Sequence, residues 1–469
     1  MLRIRVWVAA AAVVGGTALS GCTAVHSEPP GEVSSINGTS ARAYKAPDQA
    51  APASFAPQTP AAAARPAQSG ASAQGWSGES GASGHPLMTA SAIRAAAADF
   101  PQCLERLWPQ AARRGITRAT YEHHTRGLEP DLRIMDLMDA QPEFTRAVWD
   151  YLDSLVSDAR IQKGREMLAT HRATFDAVER AYGVDRHFIA AIWGVETNYG
   201  GIAGTRSVLR STATLACIGR RQEYFQDEFF ASLQILQRGD LHAEQFTGSW
   251  AGAFGNTQFM PSTFLRHAID FDGDGRRDII GSIPDVVAST ANKLARAGWT
   301  NGQTWGYEVA LPRGFDYGLA DRSREFSLVE WESRGVRRAN GQSFPRSSDR
   351  AYLLLPAGAR GPAFLMLGNF KAIMRYNPAE AYALAIGHLA DRLRGGGPFV
   401  QPWPRDEQVL SRTERLELQQ RLAARGFDIG TPDGRLGPKT RDAIRSFQVA
   451  AGMPADGFPS ATILERLRR

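Results

Sequence analysis

The chain has 469 residues, of which 43% are hydrophobic and 22% are charged. This composition excludes a chain that is disordered throughout, and the length is sufficient for two or more packed domains. The formal net charge is +6 and comes mainly from arginine, but the sequence contains no basic run or basic helical stripe. We therefore expect no nucleic acid partner.

The N-terminus has the features of an export signal. Two arginines precede an apolar stretch at 6–19, which is too short to span a bilayer well. The sequence LSGC at 19–22 follows and resembles the lipobox of bacterial lipoproteins. The resemblance implies a signal peptide over 1–22 and a lipid anchor on Cys22. Thr23 stands where an inner-membrane retention signal usually carries Asp, so we expect a periplasmic protein anchored to the outer membrane.

Composition divides the remaining chain into segments. Residues 23–90 are rich in Ala, Pro, Ser and Gly, cannot bury enough apolar surface to fold, and read as a tether. Helical periodicity begins near residue 91, and strand-like pieces occur only at TWGYEVALP and RAYLLLPAG. The Gly- and Pro-rich break RGGGPFVQPWPRD then precedes a small unit. The expected architecture is mostly α with small β pieces, comprising a domain at 91–397, a linker at 398–410 and a three-helix domain at 411–469.

Two cysteines remain once Cys22 is assigned to the anchor. They are Cys103 and Cys217, and an exported protein lies where disulfides are permitted. The sequence gives no distance between the two side chains. A disulfide and two buried free thiols therefore both stay open.

The stretch AAIWGVETNYGG at 190–201 places a carboxylate at the end of an apolar run. Spacings of three and four predict a helix with one buried face, and Asp185 is its expected N-cap. The apolar residues at these spacings are Val184, Phe188, Ile192 and Val195. Glu196 would lie at the negative end of the helix dipole among apolar neighbours, and both effects raise its pKa. We interpret Glu196 as a general acid; the alternative is a solvent-facing residue at a frayed helix end.

Two later segments carry groups suited to binding a sugar. SWAGAFGNTQFMPSTF is rich in small residues that let the backbone approach a ligand closely, and it includes Ser249 and Gln258. RYNPAEAY supplies two rings and an amide, those of Tyr376, Tyr382 and Asn377. Aromatic faces and amides are common ligands of sugars.

The motifs GVETNYG, WAGAFGNTQFMPSTF and RYN occur in this order over residues 91–395, and together they resemble the lytic murein transglycosylases of the B type. The resemblance implies a lysozyme-like, mostly helical fold. It also implies cleavage of the β-1,4 bond between N-acetylmuramic acid and N-acetylglucosamine of peptidoglycan, with formation of 1,6-anhydro ends, by Glu196 as sole catalytic acid and base. In the glycan cleft or near the muropeptide it places Ser249, Gln258, Tyr376, Asn377, Tyr382, Arg220 and Arg221. One departure is Lys293, which follows STAN where the family often has an aromatic residue, so a sugar-stacking contact is in doubt there.

The chemistry fits a single carboxylate. Ordinary glycosidases use two carboxylates that flank the bond, but we find no second acid inside the three motifs. The 2-acetamido oxygen and the 6-hydroxyl of the sugar can replace the missing nucleophile, because an intramolecular attack has a high effective molarity. No cofactor is needed for this reaction.

The segment DFDGDGRRD at 270–278 matches the first half of an EF-hand loop. Position 12 is Gly281 rather than Glu, so Asp285 would have to close the site, as the B-type resemblance suggests. The expected ligands of a structural Ca²⁺ are Asp270, Asp272, Asp274, the Arg276 carbonyl and Asp285. The alternative is a solvated acidic turn.

The C-terminal unit begins with a capping box, Ser411-x-x-Glu414, and contains two Asp-Gly turns that each lead into a helix. It resembles the peptidoglycan-binding domain found at the ends of many cell-wall enzymes. The sequence does not identify protein partners. Two alternatives to the transglycosylase are a non-catalytic wall-anchoring protein and a hydrolytic muramidase, and a second carboxylate in the cleft would favour the latter.

Overall fold

The computed structural model describes residues 76–81, 84–138 and 147–469. The expected signal peptide, the expected lipid anchor on Cys22 and most of the expected tether lie outside the described residues. Within the described ranges, no helix has both the length and the apolar character needed to cross a membrane.

The described part of the chain is predominantly helical, which confirms the predicted fold class. Its α-helices are α1 (Ala90–Ala98), α2 (Phe100–Arg113), α3 (Arg118–Thr125), α4 (Arg133–Leu137), α5 (Val148–Leu155), α6 (Asp158–Thr170), α7 (Arg172–Tyr182), α8 (Arg186–Thr197), α9 (Val208–Cys217), α10 (Gln222–Arg238), α11 (Pro261–His267), α12 (Ile283–Arg296), α13 (Leu328–Ser333), α14 (Gly368–Tyr376), α15 (Glu380–Leu393), α16 (Arg412–Ala424), α17 (Pro438–Ala450) and α18 (Ala461–Arg468).

The described strands form two small antiparallel sheets. They are β1 (Arg206–Ser207), β2 (Thr247–Gly248), β3 (Gly306–Ala310), β4 (Phe326–Ser327), β5 (Arg337–Arg338), β6 (Arg350–Leu354) and β7 (Ala363–Met366). β1 pairs with β2, and the other five strands are ordered β4-β6-β7-β3-β5. The sequence predicted β3 and β6 but missed β7, because its four residues are all buried and show no alternation.

Helix α8 lies at the centre of the largest hydrophobic core. Asp185 caps it by accepting a hydrogen bond from the His187 amide at 2.8 Å, as the sequence predicted. The prediction of a single buried face was wrong, because all residues from Phe188 to Gly194 are buried. Helices α6, α7, α12 and α15 all pack against α8. A helix enclosed on several sides has little need for amphipathic spacing.

The folded domain begins earlier than residue 91. Ser77 donates a hydrogen bond to Asp136 at 2.6 Å, Arg94 stacks over the Trp76 ring, and Met88 is buried. The expected tether over 23–90 therefore ends before Trp76 in the part that the structure describes. The sequence does not reveal these contacts, because the side chains involved meet partners that are distant in sequence.

A disulfide joins Cys103 of α2 to Cys217 of α9, with a Cα–Cα distance of 6.0 Å. The structure thus has the paired state, one of the two alternatives that the sequence left open. The bond closes a loop with a sequence separation of 114 residues. In the chain-entropy model, a loop of that length stabilises the folded state by roughly 5 kcal/mol.

The C-terminal helices α16, α17 and α18 form a compact unit with its own core. The predicted capping box is present at the start of α16. Each Asp-Gly turn is held by a buried glutamine: Gln419 accepts from the Gly434 amide at 2.7 Å, and Gln448 accepts from the Gly457 amide at 2.8 Å. Since buried amides need partners, the two glutamines fix the two turns in equivalent ways.

Candidate active site

The site is built at the C-terminal end of α8, where the chain leaves the helix in an uncommon conformation. Asn198 and Tyr199 have φ values of 51° and 57°, which non-glycine residues rarely adopt. Lys163 donates to the Asn198 carbonyl at 2.9 Å, and Thr197 donates to the Asn256 carbonyl at 2.6 Å. These bonds hold the turn, so the half-buried Glu196 is presented from a fixed backbone.

The opposite wall of the site is the small-residue segment around Asn256. Asn256 accepts a hydrogen bond from the Trp193 indole at 2.8 Å and donates to the Ile280 carbonyl at 2.7 Å. Gly252 has a φ of 90°, and a Cβ at Gly248 would overlap the Ala253 carbonyl oxygen. The glycines are therefore required for the tight folding of this segment on itself and against α9.

The Glu196 carboxyl is held by a tyrosine from α15. The Tyr382 hydroxyl donates to Glu196 Oε1 at 2.6 Å. Burial raises the pKa of Glu196 to about 7, against the opposing effects of the Tyr382 hydrogen bond and the positive charge of Lys293. Glu196 is therefore partly protonated near neutral pH, as a residue that first donates and later accepts a proton must be.

One further aromatic side chain and one cation adjoin Glu196 and Tyr382. The ring of Tyr376 is nearly parallel to that of Tyr382, with centroids 6.5 Å apart, and its hydroxyl donates to the Thr257 carbonyl at 2.6 Å. Lys293 Nζ lies 3.4 Å from the centroid of the Tyr376 ring. In the described chain, none of the groups that shift the pKa of Glu196 is a carboxylate.

The other predicted cleft residues form hydrogen bonds with nearby backbone groups. Ser249 accepts a hydrogen bond from the Ala253 amide at 3.0 Å, and Asn377 accepts one from the Ala379 amide at 3.1 Å. Gln258 has a φ of 50°, and its Nε2 donates to the Ala203 and Gly255 carbonyls at 3.1 Å each. With its nitrogen engaged in this way, the Gln258 side-chain oxygen is left for a ligand donor.

Arg220 and Arg221 lie in a different environment from the one around Glu196. Arg220 donates to the Met138 carbonyl at 2.8 Å. Arg221 stacks over the ring of Tyr224 at the start of α10. The contacts described for these arginines thus connect them to the second hydrophobic core rather than to Glu196.

Sequence reasoning missed several residues that shape the site. Thr197 and Asn256 fix the turn after Glu196, and Lys163 on α6 caps it. Thr197 and Asn256 lie inside the quoted motifs, which was their only sequence signal. Nothing in the sequence near Lys163 indicated its role. Lys293 was noted only as a departure from the family pattern, without a function.

The predicted metal loop gathers three of its four expected carboxylate ligands. One carboxylate oxygen from each of Asp270, Asp272 and Asp285 lies within 4.8 Å of the others, and the Asp274 carboxylate is outside this group. Asp285 is fully buried and accepts hydrogen bonds from the Phe271 and Asp278 amides, both at 2.7 Å. Oxygen donors of this kind are those that Ca²⁺ prefers, so the residues fit the ion.

Comparisons with known proteins agree with this geometry. The family model described as "Transglycosylase SLT domain" matches residues 81–391, and that of the "Putative peptidoglycan binding domain" matches 411–467. The chain is 28% identical over 271 residues to membrane-bound lytic murein transglycosylase B of Escherichia coli strain K12, covering 55% of this chain and 72% of that protein.

Two solved structures extend the similarity. SltB3 from Pseudomonas aeruginosa, in complex with NAG-anhNAM-pentapeptide, is 49% identical, covers 79% of this chain and 99% of its own, and has a TM-score of 0.76. The Escherichia coli lytic transglycosylase Slt35 in complex with calcium is 26% identical, covers 63% of this chain and 92% of its own, and has a TM-score of 0.54. The catalytic domain match spans more than half of the chain, and the chain therefore belongs to the family of peptidoglycan lytic transglycosylases.

Proposed function

We propose that this lytic transglycosylase uses Glu196 as its sole acid and base. The observation that carries the proposal is a single carboxyl group whose pKa is raised to about 7 by burial and which accepts a 2.6 Å hydrogen bond from Tyr382. The substrate is the bond between N-acetylmuramic acid and N-acetylglucosamine, in line with the muropeptide bound by SltB3. In this proposal Ser249, Gln258, Tyr376, Asn377 and Tyr382 line the cleft around the glycan. The family resemblance adds Arg220 and Arg221 as contacts of the peptide, at a place apart from Glu196.

The first step transfers the Glu196 proton to the glycosidic oxygen while the bond from that oxygen to C1 of the muramic sugar breaks. The 2-acetamido oxygen of the same sugar bonds to C1 and takes up the developing positive charge. The Glu196 carboxylate then removes the proton of the 6-hydroxyl, whose oxygen displaces the acetamido oxygen from C1. Glu196 ends protonated, as it began, and the product is a 1,6-anhydro sugar.

Hydrolysis by the same site would require a group to activate water. Inverting enzymes use a second carboxylate for this purpose, whereas the side chains described around Glu196 are those of Tyr382, Tyr376 and Lys293. An intramolecular hydroxyl with high effective molarity outcompetes water in these conditions. The arrangement favours the non-hydrolytic route.

Glu196→Gln keeps the side-chain shape but removes the titratable proton. Because one residue serves both steps, we expect turnover to fall by at least ~10²–10⁴-fold, while binding to soluble glycan is retained. Wild-type products made in ¹⁸O-labelled water should be unlabelled and one water lighter than hydrolytic products by mass spectrometry. A fully active Gln variant would contradict the role of Glu196, and labelled reducing ends as main product would contradict the non-hydrolytic route.

We also propose that the protein is a lipoprotein held at the outer membrane by Cys22. The support is the LSGC sequence at 19–22 followed by Thr23, together with the similarity to a membrane-bound transglycosylase. The C-terminal unit, at the residues matched by the peptidoglycan-binding model, would then hold the enzyme on the wall that faces this membrane.

Cys22→Ala should abolish incorporation of labelled palmitate and move the protein from the membrane to the soluble periplasmic fraction. Thr23→Asp is the matched variant: it keeps Cys22 but introduces the inner-membrane retention residue, so the labelled protein should move to the inner-membrane fraction. A palmitate-free wild type would contradict the anchor, and an unmoved Thr23→Asp protein would contradict the assignment to the outer membrane.

We further propose that Ca²⁺ binds the loop formed by Asp270, Asp272, Asp274, the Arg276 carbonyl and Asp285. The support is the compact group of three carboxylates, the EF-hand pattern, and the calcium complex of Slt35. The ion would stabilise the loop between α11 and α12 and has no part in the proton transfers. The loop packs beside the Asn256 segment through the chain at Ile279 and Ile280.

Calcium should raise the melting temperature of the wild type relative to chelator, because binding to the folded state alone stabilises it by about 2.7 kcal/mol at a concentration of 100 times the dissociation constant. Asp272→Asn should abolish the shift, since it removes an exposed ligand charge. Asp316→Asn, at an exposed turn outside the loop, should keep it. Identical melting of the wild type in calcium and chelator would leave the loop as a turn only.

A further inference from the structure

Lys293 is a cation beside the reacting carboxyl that the steps above leave without a role. It lies on α12, half-buried, with Nζ 3.4 Å from the centroid of the Tyr376 ring and 5.0 Å from that of Phe259. Both rings present their faces, so the ammonium group is held by cation–π contacts as well as by packing. A lysine in such a place has lost much of its hydration, which needs compensation from a nearby negative charge.

Two stacked tyrosine rings link Lys293 to Glu196. Tyr376 stacks on Tyr382, and Tyr382 donates to Glu196. Burial lowers the pKa of Lys293 to about 8, and the negative charge of Glu196 opposes this effect. The positive charge of Lys293 in turn lowers the pKa of Glu196. Each therefore favours the charged form of the other.

The other titratable groups described around Glu196 and Lys293 do not supply a positive charge to Glu196. His267 on α11 has its pKa lowered to about 4, chiefly by burial, so it is neutral at working pH. The positive charge of Arg266 on α11 lowers the pKa of Lys293. Arg266 is not among the groups that shift the pKa of Glu196. The remaining titratable groups with a described influence here are Tyr376 and Tyr151, which act on Tyr382, and Arg296, which acts on His267.

We propose that Lys293 is a positioning residue of the reaction, whose ammonium group stabilises the ionised Glu196 formed when the proton passes to the glycosidic oxygen. The inference rests on the proposed role of Glu196. At the start of the cycle Glu196 is neutral and gains little from the cation, whereas after the transfer it is a buried carboxylate. An interaction that strengthens along the reaction lowers the barrier rather than improving binding of the ground state.

The test is the pH profile of kcat/KM on soluble glycan strands. Wild-type kcat/KM should fall as pH rises through about 7, the pKa of Glu196, because the acid form is lost. Lys293→Met removes the cation, which raises the pKa of Glu196, so this falling limb should move to higher pH by about one unit or more. The value of kcat at the optimum should fall roughly tenfold with little change in KM, as expected for a loss of transition-state stabilisation.

Three comparisons make the test specific. Lys293→Arg keeps the charge and should restore the wild-type limb, and Lys293→Gln should reproduce the Met variant if packing is not the cause. Lys371→Met removes one cation from α14, where Lys371 pairs with Glu325 away from the cleft, and should leave the profile unchanged. Melting temperatures identify any variant whose losses come from misfolding.

An unmoved limb in folded Lys293→Met and Lys293→Gln would overturn the inference. A rise in KM alone would also overturn it, since that would make Lys293 a ligand of the substrate. A wild-type profile without a limb near pH 7 would instead overturn the role of Glu196 itself, and the inference with it.

Discussion

The rest of the site depends on one constraint, the burial of the Glu196 carboxyl at the end of a helix that is itself buried. Burial disfavours the charged form and raises the pKa to about 7. The tyrosine hydrogen bond and the lysine charge then work in the opposite direction and keep the ionised form accessible. A carboxyl balanced in this way can serve as an acid and then as a base in one cycle.

The fold supplies this balance through packing. Helix α8 is enclosed by helices that precede and follow it in the sequence, and this packing leaves Glu196 half-buried. Two hydrogen bonds hold the turn after Glu196. Lys163 donates to the Asn198 carbonyl, and Thr197 donates to the Asn256 carbonyl. Residues with positive φ in this region, Asn198, Tyr199 and Gln258, represent local strain that such bonds must offset. The strained backbone is thus concentrated where the geometry has to be fixed.

The sequence predicted the chemistry of the site better than its surroundings. Asp185 and the run leading to Glu196 have local signals, a cap and an apolar pattern, so the helix and its carboxylate were found. Lys163 and Lys293 come from other helices, and their roles arise from contacts far apart in sequence, which periodicity cannot reveal. For the same reason the strand β7, buried on both faces, and the packed residues before residue 91 were missed, whereas the two Asp-Gly turns of the C-terminal unit followed from local composition.

The central claim is that Glu196 is largely protonated below neutral pH in the folded enzyme, and infrared difference spectroscopy tests it most directly. The spectrum of Glu196→Gln subtracted from that of the wild type isolates the carbonyl stretch of one protonated carboxyl group. We predict that this band is present in mildly acidic buffer and disappears with a midpoint near pH 7. Loss of the band near the ordinary glutamate value of about 4.3 would contradict the account.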